Sequence, residues 1–226
     1  MAAPRCRLVG IAGTNCSGKD TAGDHLAVHF SFQHASLSSV LRDEARRRGL
    51  GVERPTLIQM NVELRRELGP GGVVLRAIST WDSEPYPGGL VISSVRVVCE
   101  AEEILRQGGD LLFIDAPVEV RYARSLLRPR PEDRITSLAD FIAQEEAELA
   151  GLEGPDRPWL REVQRLAGST IVNDGPAPEY FRAVEARLGL IFPGVSPSPR
   201  SSSPAPGRRR ARTAASSRPA PHAPEL

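Results

Sequence analysis

Five short apolar runs, at 8–12, 34–38, 90–93, 111–115 and 170–173, recur along this chain at strand length, and the stretches between them repeat apolar positions at helical spacing. The spacing predicts helices over 19–30, 39–48, 55–68, 73–80, 97–107, 118–127, 137–149, 159–166 and 179–188. Most strand runs, such as Leu8-Val9-Gly10-Ile11-Ala12 and Leu111-Leu112-Phe113-Ile114, are continuously apolar and do not alternate with polar residues. Continuous runs belong to strands covered on both faces, so the expectation is an α/β three-layer fold around a five-stranded parallel sheet. Ligands of such sheets bind beyond the strand C-termini. Two stretches break the alternation. Residues 39–86 hold three predicted helices and no strand, and residues 128–168 are helical and charged, opening with Arg128-Pro129-Arg130-Pro131.

Composition divides the chain once. With 226 residues and 40% hydrophobic content, it can bury one substantial core. From Pro193 onward, however, it is mostly Pro, Ser, Ala and Arg with almost nothing to bury. The fold is therefore expected over 1–192, with 193–226 a disordered tail. The tail has six arginines against one glutamate, net +5, and the rest of the chain is net −4. Residues Arg208 to Arg212 suit at most a weak, salt-sensitive nucleic-acid contact, because no aromatic side chain interleaves for base stacking. Three cysteines, Cys6, Cys16 and Cys99, show no metal-ligand spacing, and neither a leader pattern nor an apolar span near 20 residues is evident. A reduced, cytoplasmic location without membrane contact is the expectation.

The chemistry concentrates where the first strand ends. Lys19 is the only lysine in the chain, and every other fixed cation is arginine. It lies in Gly13-Thr14-Asn15-Cys16-Ser17-Gly18-Lys19-Asp20-Thr21, which has the G-x-x-x-x-G-K spacing of a P-loop between a strand and a helix. There the glycines free the backbone to aim N–H groups of 15–21 at phosphate oxygens, and a compact ammonium reaches over them where a planar guanidinium fits less well. The following helix adds its positive end. ATP with Mg²⁺ is the cofactor pair this predicts. A strict match has Ser or Thr directly after the lysine to hold Mg²⁺; here Asp20 intervenes, so Thr21 is the candidate ligand and Asp20 is expected to point out of the first helical turn. Cys16 is a small filler or an oxidisable thiol. Asp115, closing an apolar run, is the second candidate for the metal, or else a helix cap. Arg42, Arg96, Arg124 and Arg128 each follow a predicted strand end or lie on the helix leaving it, as cations converging on a migrating phosphoryl group would. His25 and His29 lack the glutamate of an H-E-x-x-H site and read as helix surface. Met60, Trp81 and Trp159 read as packing.

These residues carry a resemblance. The segment Ser36-Leu37-Ser38-Ser39-Val40-Leu41-Arg42 resembles the S-x-G-D-x-L-R stretch of adenylate kinases, and Gly89 to Arg96 followed by Glu100 resembles their strand ending in an arginine. Pro117, Arg124-x-x-x-Arg128, Gln144 and Thr170-Ile171-Val172-Asn173-Asp174-Gly175 follow the order seen in dephospho-CoA kinases. Residues 6–190 taken together are similar to nucleotide kinases of this group, often classed as AAA-family ATPases. The resemblance implies that Arg42 and Arg96 grip the acceptor phosphate, that Arg124 and Arg128 close from a lid at 128–168, that Asn173 and Gly175 line the adenine, and that 39–86 binds the acceptor. The implied activity is transfer of the γ-phosphoryl of ATP to a nucleoside monophosphate or dephospho-CoA type acceptor. Two departures stand out, since Ser39 and Ser93-Ser94 occupy positions where relatives carry Asp. Fewer carboxylates disfavour a hydroxyl acceptor more than a phosphate one. Two alternatives stay open: a slow P-loop ATPase acting as a nucleotide-dependent switch, and a nucleic-acid binder with a vestigial loop. The sequence leaves the oligomeric state undetermined.

Overall fold

The computed structural model describes residues 7–127, 137–150 and 160–197. Arg128, Trp159, Cys6 and the expected tail from 198 onward lie outside the described residues. Five parallel strands, β1 (Leu8–Gly13), β2 (Phe32–Ser36), β3 (Gly89–Val95), β4 (Asp110–Asp115) and β5 (Ser169–Val172), form one sheet in the order β2-β3-β1-β4-β5. β1 is central and buried throughout, so its C-terminal end opens between two neighbours. From β1 the chain jumps to the edge strand β2, returns to β3 beside β1 and then crosses to β4 on the other side, which makes the end of β1 the switch point of the sheet.

Alternation along β1 sends Val9 and Ile11 to one face and Leu8 and Ala12 to the other, and a separate apolar cluster covers each. One cluster is closed by α1 (Lys19–Phe30) and α9 (Ala177–Ile191), through Ala22, Leu26, Phe30, Tyr180, Val184 and Leu188. Phe192 and Val195 pack against it too, so the ordered core extends a little past the expected end. The other face is closed by α2 (Leu37–Arg47), α3 (Arg54–Leu68), α4 (Gly72–Ile78), α5 (Val98–Arg106) and α8 (Leu160–Leu166). α6 (Val118–Leu126) and α7 (Leu138–Ala150) follow β4 and precede β5 in chain order.

The predicted strand at 34–38 begins and ends two residues earlier, as β2. The cause is local: Ser36 caps α2, its Oγ accepting from the Ser39 N–H at 3.1 Å while Ser39 Oγ donates to the Ser36 carbonyl at 2.7 Å. Ser36-Leu37-Ser38-Ser39 thus winds into the helix instead of continuing the strand. The stretch 39–86 carries α2, α3 and α4 without a strand, as expected. These helices are tied by Glu44, whose side chain is 2% exposed and which pairs with Arg47, Arg48 and Arg76; Arg48 also reaches Glu63 and Glu67 on α3. The hydrogen bond from Arg47, followed by that from Arg48, outweighs burial and holds the Glu44 carboxyl at about 2.

Candidate active site

The phosphate loop leaves β1 at Gly13 and returns as α1 at Lys19. Gly13 has φ +146°, and a Cβ there would collide with the Ile114 backbone of β4, so the crowding between β1 and β4 admits only glycine. Cys16 (φ 58°) and Gly18 (φ 103°) are both left-handed, the alternation that turns successive N–H groups toward one concavity. Lys19 is 6% exposed, and its Nζ donates to the Thr14 carbonyl at 2.9 Å, folding the ammonium back over the loop. Ser17 is fully buried, and its Oγ has no hydrogen-bond partner among the described residues. A cradle with a folded-over ammonium and an unpartnered buried hydroxyl fits a polyphosphate.

The outer side of the loop is gripped by residues from distant elements. Asn173, 6% exposed, donates its side-chain amide to the Ser17 carbonyl at 2.8 Å. Arg124 on α6 donates to the Asn173 carbonyl at 3.0 Å and its Oδ1 at 3.2 Å. Tyr180 on α9 donates to the Gly18 carbonyl at 2.9 Å, and burial pushes its phenol well above the ordinary tyrosine value. Arg121, also on α6, donates to the Ala116 and Asn15 carbonyls, lies near the Phe141 ring and pairs with Glu145 on α7. On the opposite flank, Arg96 donates from Nη2 to the Asn15 side chain at 2.9 Å. Just beyond it, Glu100 accepts from the N–H groups of Arg96 and Val97 at the start of α5, and its burial raises its pKa.

The expected site residues therefore divide. Gly13, Asn15, Cys16, Ser17, Gly18, Lys19, Asp20 and Thr21 form the loop and first helical turn, with Arg96 against it. Arg42 is exposed on α2, in the helical stretch expected to bind the acceptor. Gly175 is exposed just after β5, and Asn173, for which the resemblance implied an adenine contact, turns its side-chain amide onto the loop. Arg124 supports the loop as well. Asp115 accepts from Thr14 Oγ1 at 2.8 Å and from the Ala116 N–H at 2.9 Å, linking β4 to the loop, and Thr21 is exposed in the first turn. The expectation that Asp20 points away is overturned: its Oδ1 accepts from Ser93 Oγ at 2.6 Å and Ser94 Oγ at 3.3 Å, across the groove at the end of β3. The sequence reading missed Thr14, Arg121 and Tyr180. Arg121 had a signal, since it lies three residues before Arg124 and so shares its helix face; Tyr180 had none beyond its helix.

Among the described residues no group of three or more His, Cys, Asp or Glu side chains could hold a metal ion. Asp20, Thr21 and Asp115 offer the hard oxygen donors that suit Mg²⁺. Among the described residues no helix is long and apolar enough to cross a membrane.

The fold is that of P-loop kinases. It is similar to shikimate kinase from Acinetobacter baumannii in complex with shikimate, with a TM-score of 0.51 at 19% identity over 82% of this chain and 93% of that one. It is also similar to TT1252 from Thermus thermophilus, with a TM-score of 0.52 at 20% identity over 83% of this chain and 99% of that one. No family model matches the chain. Among sequences, it is 30% identical over 162 residues to UPF0200 protein PH1008 from Pyrococcus horikoshii, covering 70% of this chain and 83% of that protein. A UPF0200 protein from Thermococcus gammatolerans is 25% identical over 202 residues, 84% of this chain and 97% of that protein. The chain spans 55% of a UPF0200/UPF0201 protein from Archaeoglobus fulgidus, at 27% identity over 187 residues and 80% of this chain. The chain belongs to the UPF0200 family.

Proposed function

We propose that this protein transfers the γ-phosphoryl group of ATP to a small nucleotide-like acceptor, in the manner of nucleoside monophosphate and dephospho-CoA kinases. One observation carries the reading: a buried ammonium folded over a glycine-shaped loop at the switch point of a parallel sheet, with Arg96 on the flank that faces the helical stretch α2 to α4. In the reaction an acceptor oxygen forms a bond to the γ-phosphorus as the bond to the bridging β–γ oxygen breaks, and ADP departs. Loop N–H groups and Lys19 hold the β- and γ-phosphates and meet the charge that develops on the leaving oxygen. Arg42 and Arg96 hold the acceptor, and Arg128 approaches from the lid. Arg124 and Asn173 keep the loop shaped while Gly175 borders the adenine. Asp20, Thr21 and Asp115 would offer oxygen donors to Mg²⁺, which would supply neutralisation of phosphate charge.

The test is ADP release from ATP and Mg²⁺ with nucleoside monophosphates, deoxynucleotides and dephospho-CoA, beside Lys19→Ala. At least one acceptor is expected to raise the rate above the ATP-only background, and the variant to lose roughly 100-fold or more of it. A rate that no acceptor raises would overturn the kinase reading in favour of a nucleotide-dependent switch.

A further inference from the structure

Three departures from ordinary local structure converge on one carboxylate. The first is a β-bulge: Ile11 pairs with Ser93 but Ala12 pairs with Val95, leaving Ser94 outside the ladder. Successive strand residues ordinarily face opposite ways, yet the bulge brings the hydroxyls of both Ser93 and Ser94 onto Asp20 Oδ1. The second is strain. Ser94 has φ 65°, a left-handed conformation that a residue with a Cβ adopts at a cost. The third lies behind Ser93. Ser93 is fully buried; since its one proton goes to Asp20, its oxygen accepts from His34 Nε2 at 2.9 Å, and the other ring nitrogen of His34 meets Asp24 at 2.8 Å. His34 reaches this position only because Gly23 stands in the middle of α1, where any Cβ would overlap the imidazole.

Such an outlay of strain, a helical glycine and a polar line running through the buried Ser93 fixes the side chain that directly follows the phosphate-gripping lysine. In the P-loop pattern that slot carries a hydroxyl, and a cation bound there needs oxygen donors. Here the slot carries the carboxylate and the facing strand end carries the hydroxyls. Of the other oxygen donors at the loop, Asp115 is tied through Oδ1 to Thr14 and to its own strand end at the Ala116 N–H, and Thr21 offers a hydroxyl without charge.

We propose that Asp20 is the protein ligand for the divalent cation that accompanies the nucleotide, and that Ser93 and Ser94, with His34 behind them, are the residues that position it. The inference rests on the kinase reading above and deepens it. It assigns the cation a charged anchor on the helix, so metal and nucleotide bind with strong mutual dependence, because the same carboxylate that attracts the cation repels bare phosphates.

The test needs no turnover. ADP affinity of the full chain is measured by calorimetry with Mg²⁺ and with EDTA, and Mn²⁺ affinity in the presence of ADP by electron paramagnetic resonance. Wild-type protein is expected to bind ADP more tightly with Mg²⁺. Asp20→Asn is expected to lose that enhancement while binding metal-free ADP at least as well as wild type, a combination that a merely misshapen loop does not produce. Ser93→Ala, which keeps the carboxylate, is expected to weaken Mn²⁺ binding about tenfold. Retention of the full Mg²⁺ enhancement in Asp20→Asn overturns the assignment, as does loss of metal-free ADP binding in that variant. Unchanged Mn²⁺ affinity in Ser93→Ala overturns the positioning role. Wild-type protein that binds no ADP under either condition overturns the kinase reading itself, and this inference with it.

Discussion

Gly23 occupies a helix interior where alanine is ordinarily the better residue by about 1 kcal/mol. Its neighbour on β2 reverses the sign, because a Cβ would meet the His34 ring. Gly23→Ala is therefore expected to destabilise the fold by about 1–3 kcal/mol in chemical denaturation, and Gly23→Ala combined with His34→Ala to recover much of it. Tyr180→Phe makes a milder change at the same scale. It removes the hydrogen bond to the Gly18 carbonyl and should cost about 1 kcal/mol while weakening ADP binding, since the loop loses one of its outer supports. Single residues also mark where reading the sequence succeeded. Lys19, Gly13 and Gly18 were legible because their chemistry is local: spacing, left-handed backbone and one ammonium. The direction of Asp20 was not, because it depends on a bulge at Ser94, which is remote in sequence. The hydrogen bonds of Asn173 and Arg124 behind the loop were not legible, since nothing local tells a side chain aimed at a ligand from one satisfying a carbonyl.

At the level of elements, the Glu44 carboxylate joins α2 to Arg76 of α4 and holds Arg48, which reaches α3, and that makes the docking of these helices acid-sensitive. The folded-state pKa of Glu44, about 2, lies below its ordinary value of 4.5, so the folded state holds its ionised form more strongly than the unfolded chain does. The contribution is fully present above 4.5 and is lost as pH falls toward about 2. Urea titrations across that window should show stability declining with acid, and Glu44→Gln should flatten the decline. Glu100 has the opposite sign. Burial raises its pKa, so its ionised form is held less well folded than unfolded, and it erodes stability as pH rises past the ordinary carboxylate range. Glu100→Gln keeps an acceptor for the Arg96 and Val97 N–H groups and is expected to match or exceed wild-type stability at neutral pH. The strands were readable because most contain continuous apolar runs. β2 moved by two residues because its end is set by the Ser36 cap, a choice between two hydrogen-bonding arrangements that apolar periodicity does not register.

Across the whole molecule, the phosphate loop is not a free-standing turn. Through their side chains, Asn173 after β5, Arg121 and Arg124 on α6, and Tyr180 on α9 hold its carbonyls, and all three elements are remote in sequence from β1. The charge distribution separates differently: all the arginines of the net +5 segment lie at 200 or later, beyond the last residues that pack against the core. Deleting 198–226 is expected to leave the ADP-induced rise in melting temperature unchanged and to abolish retention on a DNA column at low salt. The clamp on the loop has a thermal consequence. A cradle fastened by the last strand and last helix can neither fray early nor assemble late, so on heating, nucleotide affinity and the folded population should vanish in a single cooperative step.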